Sequence, residues 1–142
     1  MKKKRIKILV VDDNEDVAEV IKTHLNWRGF DSVEILTNPT LAANKFKNEG
    51  FEIVLSDIKM PEMDGIELLK LIKETRGETL VIMTTGHSTA ENVGECQKYG
   101  ALDFVFKPFG SFAELDTVMD RAIEILTRWQ GIMDKVSDVD IF

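Results

Sequence analysis

Short apolar runs alternate with longer amphipathic stretches along this chain, the pattern of strands exchanging with helices. Five runs predict strands: Lys7–Val11, Ser32–Leu36, Glu52–Ser56, Thr79–Thr84 and Leu102–Phe106. The first, third and fourth are nearly continuous in Val, Ile and Leu, as strands covered on both faces should be. Between them, helical spacing appears near Glu15–Trp27, Pro39–Asn48, Gly65–Glu74 and Thr89–Tyr99, and again from about Phe112 onward. Gly29, Gly50, Gly77 and Gly100 fall between a helix and the next strand, where a helix C-terminus favours glycine. Five β-α repeats with right-handed crossovers imply a parallel sheet with helices on both faces. The predicted fold is therefore α/β, one doubly wound (βα)5 domain with a five-stranded parallel sheet. The fourth helix is the weak element, because Gly94 sits in its middle at a cost of about 1 kcal/mol relative to Ala. Low local stability suits an element that moves; a poor surface helix is the plainer explanation.

Composition narrows the class. Of 142 residues, 44% are hydrophobic and 30% charged, an ordinary globular balance. Eighteen basic against 25 acidic residues give a net charge of −7, which disfavours direct binding to a nucleic-acid backbone by this segment. The single Cys96 allows no internal disulfide, so nothing points to an oxidising compartment. The apolar run behind the basic N-terminus stops at Asp12, too soon for a secretion signal. No stretch reaches the length of a membrane span. Secreted, membrane-spanning and zinc-finger readings are set aside, and a cytoplasmic location is expected.

The candidate chemistry lies at the strand ends, where open α/β sheets place their sites. The first strand runs into Asp12-Asp13, the third into Asp57, the fourth into Thr84-Thr85 and the fifth into Lys107-Pro108. If the strands take the order 2-1-3-4-5, Asp12 and Asp13 lie beside Asp57, one strand spacing of about 4.8 Å away. Thr85 then flanks Asp57 on its other side, and Lys107, two strands away, reaches back along its side chain. Carboxylates converging at one edge repel unless a cation joins them, and oxygen ligands without His or Cys favour Mg²⁺. An Asp carboxylate is also a competent nucleophile toward phosphorus. Each residue has an ordinary explanation as well: Asp13 or Asn14 as a helix cap, Asp57 and Thr85 as turn residues, Lys107 as a surface lysine. The conjunction at four strand ends is what points to a site.

These residues resemble the receiver domain of two-component response regulators. The resemblance covers roughly Lys7 to Arg128 and rests on Val10-Val11-Asp12-Asp13, Ser56-Asp57, Met60-Pro61-Glu62-Met63-Asp64-Gly65, Thr85 and Phe106-Lys107-Pro108-Phe109. No single piece is specific; the set is. It implies a CheY-like, flavodoxin-like sheet of order 2-1-3-4-5, and a signalling phosphoacceptor rather than an enzyme with a separate substrate. Asp57 is then expected to accept a phosphoryl group from a sensor histidine kinase or phosphotransfer protein. Asp12, Asp13, Asp57 and the Lys59 backbone carbonyl are expected to hold Mg²⁺, with Lys107 and Thr85 contacting phosphoryl oxygens. The Lys107–Pro108 bond is expected to be cis. Thr85 and Phe104 are the implied switch residues, although the family often has Tyr where Phe104 stands, and Phe104 reads equally as an ordinary core ring. Lys59 and His87 flank the expected path of attacking water and are candidates for setting the lifetime of the phosphorylated form. His24, inside the first helix, is read as structural.

The last helix carries more apolar surface than the domain needs. Leu115, Met119, Ala122, Leu126, Trp129, Met133 and Val136 repeat at alternating spacings of four and three for three heptads. The expected division is a receiver over residues 1–128 and a helical tail over 129–142. Three readings compete for the tail: a dimerising coil, a signalling helix toward an output domain, or a segment folded back on its own surface. Homodimer contacts through this helix or the adjacent face are favoured, although Gly131 weakens the helix. Rival functions fit less well. A flavin carrier of similar topology would meet an acidic loop, Asp12 to Asp16, where its phosphate should sit. An Asp-dependent phosphatase would separate its two aspartates by one residue. A scaffold that keeps the site without using phosphorylation is the more serious alternative.

Overall fold

A computed structural model describes residues 2–107 and 110–139. After one 3₁₀ turn the elements are β1 (Lys7–Val11), α1 (Glu15–Trp27), β2 (Ser32–Leu36), α2 (Pro39–Asn48), β3 (Ile53–Asp57) and α3 (Gly65–Thr75). They continue with β4 (Leu80–Thr85), α4 (Ala90–Lys98), β5 (Asp103–Phe106) and α5 (Ala113–Val139). All strand pairs are parallel, in the order β2-β1-β3-β4-β5. This is the topology implied by the resemblance. The Lys107–Pro108 peptide bond, expected to be cis, and Phe109 lie outside the described residues.

The alternation of side chains along a strand splits the core in two. Ile8, Val10, Ile53, Leu55 and Ile82 face one side, where Ala18, Ile21 and Leu25 of α1 and Leu115, Met119 and Ala122 of α5 close over them. Leu9, Val11, Val54, Val81 and Met83 face the other, covered by Ala42 and Phe46 of α2, Leu68, Leu69 and Ile72 of α3, and Cys96 of α4. All five residues of β3 are buried, which explains its unbroken apolar run. Cys96 is the sole buried residue of α4, so that helix is held by little.

Local signals set the ends. Asn14, Asn38, Asp64 and Thr89 each accept a backbone N–H of the following first turn, the usual work of N-cap side chains. Gly29 and Gly100 take positive φ of 99° and 91° just past α1 and α4, where other residues are strained. Three strands start one residue later than the apolar runs do: β5 at Asp103 rather than Leu102, β3 at Ile53 and β4 at Leu80. Glu52 and Thr79 precede β3 and β4: the Glu52 carboxylate accepts the Lys7 N–H, and the Thr79 hydroxyl donates to the Phe51 carbonyl at 2.7 Å.

One contact fixes the loop behind β3. Gly65 N–H donates to the Ile58 carbonyl at 2.7 Å. A Cβ at Gly65 would stand 1.9 Å from the Asp57 carbonyl oxygen, so only glycine lets α3 start this close to β3. Gly94, by contrast, has nothing within 4 Å of where its Cβ would be. The two positions should therefore respond oppositely. Gly65→Ala is expected to cost about 2 kcal/mol or more through overpacking against backbone. Gly94→Ala should stabilise by up to about 1 kcal/mol. Urea midpoints at constant m-value measure both.

Candidate functional site

The register of the sheet builds the site. Val11 pairs with Ser56, so the residue after β1, Asp12, emerges beside Asp57. Asp57 pairs with Thr84, which sets Thr85 one step further along. Thr85 pairs with Phe106, and Lys107 follows at the same edge. Asp57 and Thr85 are thus the last residues of β3 and β4 rather than loop residues.

Lys107 crosses two strands to reach the carboxylates. Its Nζ lies 2.7 Å from Asp12 Oδ2 and 3.1 Å from Asp57 Oδ2. All three side chains are largely shielded from water, Asp12 at 1% exposed, Asp57 at 11% and Lys107 at 13%. The second oxygen of each carboxylate is held by backbone: Asn14 N–H donates to Asp12 Oδ1 at 2.9 Å, and Ile58 N–H to Asp57 Oδ1 at 2.7 Å. These bonds orient both groups without moving parts.

The electrostatics are unequal across the pair. Burial pushes the Asp57 carboxyl above its usual range, against the pull of Lys107, and the neighbouring Asp12 charge adds to the rise. Burial alone would depress the Lys107 ammonium, but its hydrogen bond to Asp12 and the charges of Asp12 and Asp57 raise it instead. The shorter bond goes to Asp12, so Asp57 receives the smaller share of compensation. A buried carboxylate in that position is a group still short of positive charge.

A divalent cation would supply it. Asp12, Asp13 and Asp57 each offer a carboxylate oxygen within 4.8 Å of the others. Asp13 is exposed, which leaves one side open to water. An all-oxygen, acidic and partly hydrated donor set fits Mg²⁺, which keeps several waters and takes few carboxylates.

The remaining expected residues lie around this centre in different states. The Thr85 hydroxyl donates to the His87 carbonyl at 3.0 Å, and Thr85 carbonyl accepts the Lys107 N–H at 2.7 Å. Lys59 and His87 side chains are exposed. Phe104 is half-buried, its ring tilted against Phe106 at 5.3 Å between centroids. His24 lies away from the site, stacked on Phe112 at 4.0 Å with Nε2 2.7 Å from Asp116 Oδ1. Sequence reasoning does not reach Glu62, held at φ 72° within a γ-turn closed by Met63 N–H to the Pro61 carbonyl. Nor does it reach Ser88 Oγ, buried without a hydrogen-bond partner in the loop after β4. Nothing in residue type marks either one.

Comparison with known proteins agrees with the geometry. The family model for the response regulator receiver domain matches residues 8–120. The Escherichia coli (strain K12) regulatory protein AtoC is 35% identical over 119 residues, covering 84% of this chain and 25% of that protein. The transcriptional regulatory protein ZraR of Klebsiella oxytoca is 35% identical over 123 residues, 87% of this chain and 27% of that one. The chain thus spans about a quarter of the length of the curated relatives it matches. Among solved structures, a CheY-like receiver domain protein from Methanospirillum hungatei JF-1 superposes with a TM-score of 0.79 at 31% identity, covering 87% of this chain and 98% of that one. The beryllofluoride-activated NtrC4 receiver domain dimer gives 0.76 at 30%, with 83% and 96% covered.

Because the Asp57 carboxyl is raised in the folded chain, its contribution is favourable below the unfolded carboxylate pKa and is lost as pH rises through the folded value. Asp57→Asn should therefore raise Tm at pH 7 in chelator, by about 2–4 °C for each kcal/mol relieved. The gap should shrink toward pH 4. Adding Mg²⁺ should raise the Tm of the parent more than that of the variant, and thermal melts at both pH values test all three statements.

Proposed function

The chain belongs to the response regulator receiver family, and on that basis we propose that Asp57 accepts a phosphoryl group from a phosphohistidine of a sensor kinase or phosphotransfer protein. The observation that carries this reading is Lys107, whose ammonium is shared between Asp12 and Asp57 inside a shielded pocket. An Asp57 carboxylate oxygen attacks phosphorus, a P–O bond forms, and the P–N bond breaks with its electron pair leaving on the donor imidazole nitrogen. The imidazole then takes a proton. Such transfer depends on positioning and neutralisation of charge more than on covalent assistance. Asp12, Asp13, Asp57 and the Lys59 carbonyl hold Mg²⁺ in this proposal. When bound, the ion neutralises charge developing on the phosphoryl oxygens. Ile58 N–H fixes the Asp57 oxygen it contacts, leaving Oδ2, the one now facing Lys107, as the attacking atom.

The switch starts at Thr85. Its hydroxyl now rests on the His87 carbonyl, a neutral hydrogen bond worth about 1 kcal/mol net. Phosphoryl oxygens at Asp57 offer a charged acceptor, and such bonds are roughly twice as strong. Thr85 turns toward them, the loop through Ser88 follows, and Phe104 moves into the space released. Phosphorylation thus biases two arrangements of one loop. The unpartnered Ser88 hydroxyl is a cost of the present arrangement that another can relieve. Hydrolysis of the acyl phosphate is intrinsic to the site, and the exposed Lys59 and His87 side chains set its rate by occupying the approach of water.

Control of transcription is the output that the relatives' names favour, exerted through parts of those proteins beyond the matched quarter. A kinase donor of this kind places the work in the cytoplasm, and among the described residues no helix is long and apolar enough to cross a membrane. A second copy of the chain is a further partner, through α5, and one structural neighbour is a receiver domain dimer.

Intact mass after incubation with acetyl phosphate tests the assignment. One added phosphoryl group is expected with Mg²⁺, and none with chelator or in Asp57→Asn. Failure of both acetyl phosphate and beryllofluoride to bind would leave a scaffold as the better reading. Lys59→Ala is expected to change the rate of phosphoryl loss by several-fold while Tm stays within about 2 °C, as for an exposed substitution; an unchanged rate removes Lys59 from the role.

A further inference from the structure

The residue ahead of Asp57 is a serine whose hydroxyl stands in apolar company. Ser56 is 1% exposed and pairs with Val11 on one side and Met83 on the other. Alternation along β3 turns it to the same face as Val54, the face covered by α2 and α3. Alanine or valine would fill that place without a polar atom, and a buried hydroxyl is unfavourable unless it finds a partner. The partner is next door: Ser56 Oγ donates to the Asp57 carbonyl at 2.9 Å.

That carbonyl belongs to the peptide unit joining Asp57 to Ile58. The same unit carries the N–H that donates to Asp57 Oδ1 at 2.7 Å. A peptide unit is planar, so its C=O and N–H cannot turn independently. Whatever holds the carbonyl therefore holds the carboxylate oxygen as well. Two groups act on the carbonyl side. Gly65 bounds it sterically: a Cβ there would lie 1.9 Å from the Asp57 oxygen, and 2.9 Å from both the Asp57 carbonyl carbon and Ile58 Cα. The Ser56 hydroxyl holds it by attraction. With Oδ1 fixed through this unit, Oδ2 is left 3.1 Å from Lys107 Nζ.

We propose that Ser56 is a positioning residue for the phosphoacceptor: its hydroxyl locks the Asp57–Ile58 peptide plane, and the plane aims Asp57 Oδ2. This deepens the phosphoacceptor reading above and rests on it. Ser56 acts through the backbone, since its hydroxyl hydrogen goes to a carbonyl and to neither carboxylate oxygen. Without that hydroxyl the plane is free to tilt away from Gly65, Oδ1 loosens, and Oδ2 spends less time in line with phosphorus. A misplacement of about 1 Å costs about a hundredfold in rate, so a partial loosening should cost about tenfold. Thr79 supplies a control. Its buried hydroxyl makes the same kind of bond, to the Phe51 carbonyl at 2.7 Å, at the far end of the sheet.

Phosphoryl uptake from acetyl phosphate, followed by intact mass in saturating Mg²⁺, tests the role in the full chain. Ser56→Ala is expected to lower the maximal rate about tenfold, while the half-saturating acetyl phosphate concentration moves less than about twofold. Ser56→Thr keeps a hydroxyl and should return the rate to within about threefold of the parent. Thr79→Val should lower Tm about as much as Ser56→Ala and leave the rate unchanged. Hydrogen exchange of the Ile58 amide, read by NMR, reports on the plane without any phosphoryl donor. It should be at least about tenfold faster in Ser56→Ala and parent-like in Ser56→Thr. Parent-like exchange in Ser56→Ala would overturn the lock, and faster exchange with an unchanged rate would overturn the aiming. An equal loss of rate in Thr79→Val would reduce Ser56 to a stabilising bond. A parent chain that takes up no phosphoryl group would defeat the phosphoacceptor reading instead, with Ile58 exchange still deciding whether Ser56 holds the carboxylate.

Discussion

The constraint on which this molecule turns is the sharing of one ammonium between two buried carboxylates. Desolvated like charges one strand apart are unfavourable by several kcal/mol unless a cation stands between them. Lys107 fills that place for Asp12 and, at the longer distance, for Asp57. The compensation is incomplete: the Asp57 carboxyl remains raised. The fold thus maintains a pocket that is short of positive charge on the side of Asp57. A divalent ion held by Asp12, Asp13 and Asp57 would meet a deficit that is already present.

That arrangement depends on parallel strands ending together. β1, β3, β4 and β5 each deliver a residue to the same edge because their register leaves Asp12, Asp57, Thr85 and Lys107 at adjacent ends. The helices do not touch the chemistry, but they fix the ends. α3 begins with Gly65 packed on the Asp57 carbonyl, and α4, on the other flank, is anchored by Cys96 alone. The site is therefore bordered by one tightly held loop and one loosely held loop.

Much of this was legible in the residues. Unbroken Val, Ile and Leu runs mark strands covered on both sides, and Asn14, one of two residues offered as a cap for the first helix, is the one that caps it by chemistry that acts within four residues. Asp12, Asp57, Thr85 and Lys107 stand out because polar groups follow apolar strands. What stayed hidden depends on distance in space rather than along the chain. Glycine opening a helix gives no hint that a Cβ there would strike a carbonyl eight residues earlier. The positive φ of Glu62 is imposed by the loop that closes over it, and nothing in glutamate requests it. His24 is read as structural from its place in the first helix, but its partners, Phe112 just before the last helix and Asp116 within it, lie too far along the chain to be named from sequence.

The contact between Gly65 and the Asp57 carbonyl has a mechanical consequence. It makes β3 and the start of α3 a rigid abutment: the backbone under Asp57 cannot recede when a bulky charged group is added to the side chain. On the opposite flank, one neutral hydrogen bond at Thr85 and a helix with an open position at Gly94 offer little stiffness. Displacement follows compliance, so under the proposed phosphorylation of Asp57 the softer side for any response is that of β4, α4 and β5. A glycine outside the acidic cluster thereby decides which side of Asp57 is stiff.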